Sequence, residues 1–117
     1  MKSYRDLIVW NKSMLLVTSI YTILKKFPDE EKFGLVSQIK RSSVSVPSNI
    51  AEGYGRNYTK DYSRFLQIAR GSLYEMQTQI EISKNLNFIS EMDVKEIFDL
   101  TLEVEKMLNS LINKLKV

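Results

Sequence analysis

RSSVSVPSNIAEGYGR, residues 41–56, decides how this chain folds. It lies between two amphipathic segments and carries Pro47, four serines, Asn49, Gly53 and Gly55. Read as a loop, it would split the chain into short pieces. Read as helix, it completes a bundle. Leu35, Ile39, Ser42, Val46, Ile50 and Gly53 keep a 3-4 spacing straight through the proline. A fresh helix starting at Pro47 would need Val46 as its cap, and valine caps poorly. The spacing therefore predicts one continuous helix from about Phe33 to Tyr54. It is kinked at Pro47, which removes an amide from the ladder, and stopped by Gly53 and Gly55.

The flanking segments carry the same period. Between Asp6 and Lys26, Leu7, Trp10, Met14, Val17, Tyr21 and Leu24 form a bundle seam. A second stripe, Leu16, Ile20, Ile23 and Phe27, is offset from it and widens the apolar face beyond one helix contact. Pro28 ends this helix, because it disfavours helical geometry at the residue before it. Tyr62, Phe65, Leu66, Ala69, Leu73, Met76 and Ile80 define a helix from Lys60 to Asn85, with Thr59 as the expected cap. Val94, Ile97, Thr101, Val104, Leu108, Leu111 and Leu115 define the last, from Glu91 to Leu115. Ser90 and Asp93 are spaced for a capping box, and Ile89 and Val94 for a hydrophobic staple. No period-two run or Asn-Gly hairpin signals a strand. The expected architecture is all-α: residues 1–117 as a single antiparallel, up-and-down four-helix bundle.

In this frame the serines of the opening stretch let another helix approach closely. Ser48, Asn49, Glu52 and Arg70 are the expected polar network beside the kink, because buried polar groups need partners.

The 117 residues include no cysteine and no histidine. That removes disulfides, thiolate metal sites, the usual general base and the Glu-x-x-His di-iron pattern of some bundles. No metal or cofactor is expected. The longest apolar run, residues 14–24, is too short to span a bilayer and lacks a small-residue cleavage site after it, so the expectation is a cytoplasmic protein without membrane association. Glu52 and Glu75 as an acid–base pair, or Ser48 as a nucleophile, would be the candidates for catalysis. The serine lacks an activating histidine or a Ser-x-x-Lys lysine, and EGYGR lacks the Lys-Ser/Thr of a phosphate loop. The expectation is no enzyme.

Charge is uneven. Residues 1–32 carry net +2, residues 33–71 net +4 and residues 72–117 net −3. A basic middle suits an anionic partner. Lys40, Arg41, Arg56, Lys60 and Arg64 are the candidate phosphate contacts. Tyr54, Tyr58 and Tyr62 are interleaved with them, and Tyr58 is the candidate to stack on unpaired bases.

YRDLIVWNKS, FGLVSQIKRSSVSVPSNIAEGYGR and YSRFLQIARGSLYEMQTQIE together resemble the 23S rRNA intervening-sequence protein family, small bacterial four-helix bundles. The resemblance covers nearly the whole chain. It implies ring-like assembly, a homopentamer as in known members. It also implies a distant kinship to the accessory protein of diversity-generating retroelements, which binds nucleic acid and a reverse transcriptase through a basic surface. Two functions stay open: an oligomeric bundle that binds RNA or DNA, and a ring-like scaffold that docks a protein partner.

Overall fold

A computed structural model describes residues 2–116. Its four α-helices are α1 (Ile8–Leu24), α2 (Leu35–Tyr54), α3 (Thr59–Asn85) and α4 (Glu91–Lys114), with 3-10 turns at Tyr4–Asp6 and Asp29–Glu31. Each helix packs on its sequence neighbours, and α4 closes back on α1. The connections are short, so neighbours run antiparallel. The 27 residues of α3 account for about 40 Å at 1.5 Å per residue, most of the 45 Å long axis.

α2 runs unbroken through Pro47, as its spacing requires, with Ile39, Ser42, Ser43, Val46, Pro47, Ile50 and Gly53 buried. A bend at Pro47 is the expected consequence of the amide that proline lacks. Gly55 ends the helix in ordinary right-handed geometry (φ −78°), so a left-handed glycine stop is not used there. Gly53 does something else. A Cβ on it would sit 2.6 Å from Phe65 Cβ and 3.3 Å from the Tyr62 carbonyl oxygen. It is the point where α2 and α3 come closest to forbidding a side chain.

The polar residues of that seam are paired. Ser42 Oγ donates to Gln79 Oε1 at 2.8 Å, and Ser45 Oγ meets Ser72 Oγ at 2.8 Å. Asn49 Nδ2 donates to the Ser45 carbonyl and hydroxyl. No buried side-chain nitrogen or oxygen among the described residues lacks a partner.

On α1 the two stripes exchange roles. The core takes Val9, Ser13, Leu16, Ile20, Ile23 and Leu24, with Phe27 just beyond the helix. Trp10 and Val17 are half-buried, and Met14 and Tyr21 are exposed. Both stripes share one period, so spacing alone did not rank them. Ser13 enters the core by bonding its hydroxyl to the Val9 carbonyl at 2.7 Å. The helix also starts later than expected, because Ser3 caps a separate turn at Tyr4–Asp6 and Leu7 is extended.

The ends of α3 and α4 are set by local chemistry. Tyr58, not Thr59, is the residue before α3, and its side chain makes no capping bond. At the other end Asn87 adopts φ 65°, with Phe88 N–H donating to the Ser83 carbonyl and Asn87 N–H to the Lys84 carbonyl. This is a Schellman stop with asparagine in the left-handed position. The Ser90–Asp93 capping box is present in both directions, and Ile89 and Val94 are both buried. Lys26 Nζ reaches Asp93 at 3.0 Å, which, with the Ser90 bonds, holds that carboxyl below its ordinary pKa.

Candidate nucleic-acid interface

One end of the bundle collects the α2–α3 loop, the start of α1 and the end of α4. At that end the dipoles alternate: α1 and α3 present positive ends, α2 and α4 negative ones. They largely cancel, so side-chain charge sets the local field. Arg5, Arg56, Lys60, Arg64, Lys114 and Lys116 gather there against Asp6, Glu52 and Asp61.

The close approach at Gly53 fixes how α3 leaves the loop, and the following residues lock it. Tyr54 and Tyr62 meet edge to face, 5.9 Å between centroids. Burial raises the Tyr62 hydroxyl's pKa, and neighbouring Tyr54 adds to the effect. Both rings are half-buried, so packing claims much of their surface. Tyr58 is different: it is 72% exposed, a ring in water where the loop enters α3.

Two arginines converge on Phe65, whose ring is almost wholly buried. The Arg56 guanidinium lies 4.7 Å from its centroid and that of Arg64 5.6 Å. Arg56 also lies 3.8 Å from Glu52, an i, i+4 pair with both side chains about half exposed. Among the described residues, no carboxylate pairs with Lys60, Arg64 or Lys116. Beside them runs an open groove of about 550 Å³, lined by Lys60, Asp61, Arg64 and Gln67 of α3 and by Leu115 and Lys116 after α4.

Arg56 and Arg64 thus meet at Phe65, Lys60 and Arg64 share the groove, and Tyr58 is exposed just before α3 at the same end of the bundle. Lys40 and Arg41 lie elsewhere. They belong to the first turns of α2, 16 and 15 residues before Arg56, which at 1.5 Å per residue is about 24 Å along the helix. Both are exposed, and Lys40 lies over the Tyr21 ring of α1 at 5.2 Å.

The expected network beside Pro47 is not assembled. Ser48 is exposed in the cleft between α1 and α2. Glu52 faces solvent beside Arg56, and Arg70 turns to α4, where it donates to Asn109 Oδ1 at 2.8 Å. Asn49 alone joins the α2–α3 seam. Arg70 stands two residues before Ser72, about 200° round α3, so when Ser72 meets α2 Arg70 is carried to the α4 side. Glu52 and Glu75 are also apart. Glu52 is level with Phe65, ten residues before Glu75, about 15 Å along α3.

Gln79, Ser83 and Lys116 were missed from sequence. Gln79 falls three residues after Met76, on the core period, and was legible as a buried amide. Lys116 was legible once α4 was taken as antiparallel to α3, since its end must then meet the start of α3. Among the described residues no cluster of three His, Cys, Asp or Glu side chains is placed to hold a metal ion, and no helix is long and apolar enough to cross a membrane.

Comparison with known proteins bears on this surface only through the fold. A crystal structure of a protein with unknown function from the S23 ribosomal protein family of Bacteroides thetaiotaomicron superimposes with TM-score 0.83 at 27% identity, covering 90% of this chain and 98% of that one. No curated protein matches. Residues 5–110, from the first turn to the last helix, match the family described as 23S rRNA-intervening sequence protein, and the chain belongs to that family.

Proposed function

We infer that this is a non-catalytic, self-associating bundle that binds single-stranded nucleic acid, RNA in particular, at its basic end. The observation that carries the reading is a set of exposed cations without carboxylate partners beside an exposed tyrosine: Lys60, Arg64, Lys116 and Tyr58. Unneutralised cations exchange condensed counterions for phosphates, and an exposed ring stacks on an unpaired base. Lys40 and Arg41 belong to another surface and are not part of this interface.

Self-association is supported by the outward stripe of α1. Met14 is 42% and Val44 40% exposed, on the rims of an apolar cleft that also involves Trp10, Val17 and Ala51. Apolar surface of this kind favours a second protein surface. The family resemblance makes a homopentamer the expected assembly, which would repeat the basic end around a ring. Light scattering is expected to give a multiple of 13.7 kDa.

The binding test titrates protein into a short fluorescent oligouridylate at several salt concentrations. Affinity is expected to fall with salt by about 0.7 in log–log slope per phosphate engaged. Arg56→Gln, Lys60→Gln and Arg64→Gln together weaken binding and flatten that slope. Lys114 and Lys116 are unsuitable as controls because they lie at the same end. Lys25→Gln with Lys32→Gln, at the opposite end, is the control and changes little. Absence of RNA and DNA binding by the wild type at about 50 mM salt refutes the reading. The apolar cleft then favours a scaffold that docks a protein partner.

A further inference from the structure

We propose that Arg56 and Arg64, held on the ring of Phe65, form a phosphate clamp, with Phe65 as its positioning residue. The proposal rests on the nucleic-acid reading above and names the group recognised: a phosphodiester, gripped by paired guanidinium groups rather than attracted by diffuse charge.

The geometry carries it. The two guanidinium carbons lie 4.7 and 5.6 Å from one centroid, so they are no more than about 10 Å apart, and the clamp requires that one phosphate bridge that span. Two like charges held this near gain little from each other. They stay because the negative face of an aromatic ring attracts each, and an anion placed between them relieves their repulsion. Phe65 is held from both sides: its Cβ stands against the Gly53 backbone and its side chain is almost wholly buried. The ring is therefore a fixed shelf, and the arginines lose less freedom on binding than they would as free surface side chains.

Arg64 belongs to two arrangements. It rests on Phe65, and it lines the groove with Lys60 and Lys116. A strand whose phosphate sits in the clamp is thereby led toward the two lysines. Asp61 in the same groove and Glu52 beside Arg56 are the opposing charges. Glu52 competes weakly, at 3.8 Å and half exposed.

Arginine and lysine separate a clamp from a charged patch, because lysine keeps the charge but neither stacks in the same way nor offers a planar fork. In the oligouridylate titration, Arg56→Lys with Arg64→Lys is expected to lower affinity about tenfold while the salt slope stays that of the wild type. Phe65→Leu is expected to give a comparable loss, with net charge unchanged, and no further loss when added to the double lysine variant. Circular dichroism checks that each variant is helical; if Phe65→Leu does not fold, the double lysine variant decides alone. Binding by that variant within about twofold of wild type overturns the clamp and leaves the basic-surface reading standing. So does wild-type affinity in a folded Phe65→Leu protein. A wild-type protein that binds neither oligouridylate nor single-stranded DNA overturns both.

Discussion

Gly53→Ala should destabilise the protein, while Gly71→Ala should stabilise it. The same methyl group is added in each case, inside a helix, so the backbone contribution has one sign. Alanine is favoured over glycine by up to about 1 kcal/mol in a helix interior. At Gly71 nothing lies within 4 Å of the new Cβ, so that gain is realised in full. At Gly53 the new Cβ meets Phe65 Cβ at 2.6 Å, Tyr62 Cδ1 at 3.2 Å and the Tyr62 carbonyl at 3.3 Å. The nearest obstacle is fixed to the backbone of α3 and cannot rotate away. Relief requires the helices to part by the better part of an ångström, at the top of the roughly 1–3 kcal/mol range for overpacking. The net expectation is a loss of about 2 kcal/mol at Gly53 and a gain of about 1 kcal/mol at Gly71. With unfolding entropy near 2.1 cal/mol/K per residue, 1 kcal/mol moves Tm by roughly 4 °C for a chain of this length. Thermal unfolding followed by circular dichroism should therefore show Tm falling by about 8 °C in one variant and rising by about 4 °C in the other. A Gly53→Ala protein as stable as wild type would refute the close crossing of α2 and α3, and with it the fixed shelf for the arginines.

Two further expectations test where charges sit. Glu52→Gln removes one exposed pair and should cost under about 1 kcal/mol by urea unfolding, while RNA binding tightens modestly because Arg56 loses its competitor; a loss of 3 kcal/mol or more would mean that Glu52 is buried with a partner. The Asp93 carboxyl is held below its usual pKa chiefly by Lys26, then by Ser90. Its contribution is present above the unfolded value near 3.9 and is lost as pH falls through the lower folded value. Asp93→Ala should lower stability by about 1–2 kcal/mol at neutral pH, through cap and ion pair together, and flatten the acid side of the stability profile. An unchanged acid limb would show that the pair does not form in solution.

The bundle was legible because its signals agree across levels. The 3-4 spacing through Pro47, the Ser90–Asp93 box and the core stripe of α3 each point to the same helices. What escaped was the partner of each side chain. Period places a residue on a face, but faces of neighbouring helices compete for it. Arg70 lies on the α4 side of α3 and bonds Asn109, while Glu52 pairs with Arg56. The two stripes of α1 share a period, so only the assembled bundle shows which one faces inward. Asn87 carries the left-handed stop that glycine was expected to supply elsewhere, and an isolated asparagine is a weak signal for it. Of the candidate contacts, Arg56, Lys60 and Arg64 are near in sequence and linked in space through Phe65 and the groove, with Tyr58 exposed just before α3. Lys40 and Arg41 were grouped with them by charge alone, and helical rise separated them.

Net charge understates what this fold presents to an anion. The chain as a whole is only +3, and its last third is acidic. In an antiparallel bundle, however, residues far apart in sequence share an end, and the two ends need not be alike. Lys60, Arg64 and Lys116 meet at one end, while at the other the acidic turn of Asp29, Glu30 and Glu31, with Glu91 and Asp93, is interleaved with Lys25, Lys26, Lys32 and Lys84. Separation of charge along a 45 Å axis exceeds the roughly 8 Å over which physiological salt screens it, so a phosphate at the basic end barely feels the acidic one. Each end then sets its own local field. A ring of parallel protomers joined through the α1–α2 cleft would multiply the basic end without adding the acidic end to it, and a modestly charged monomer would become a strongly cationic face.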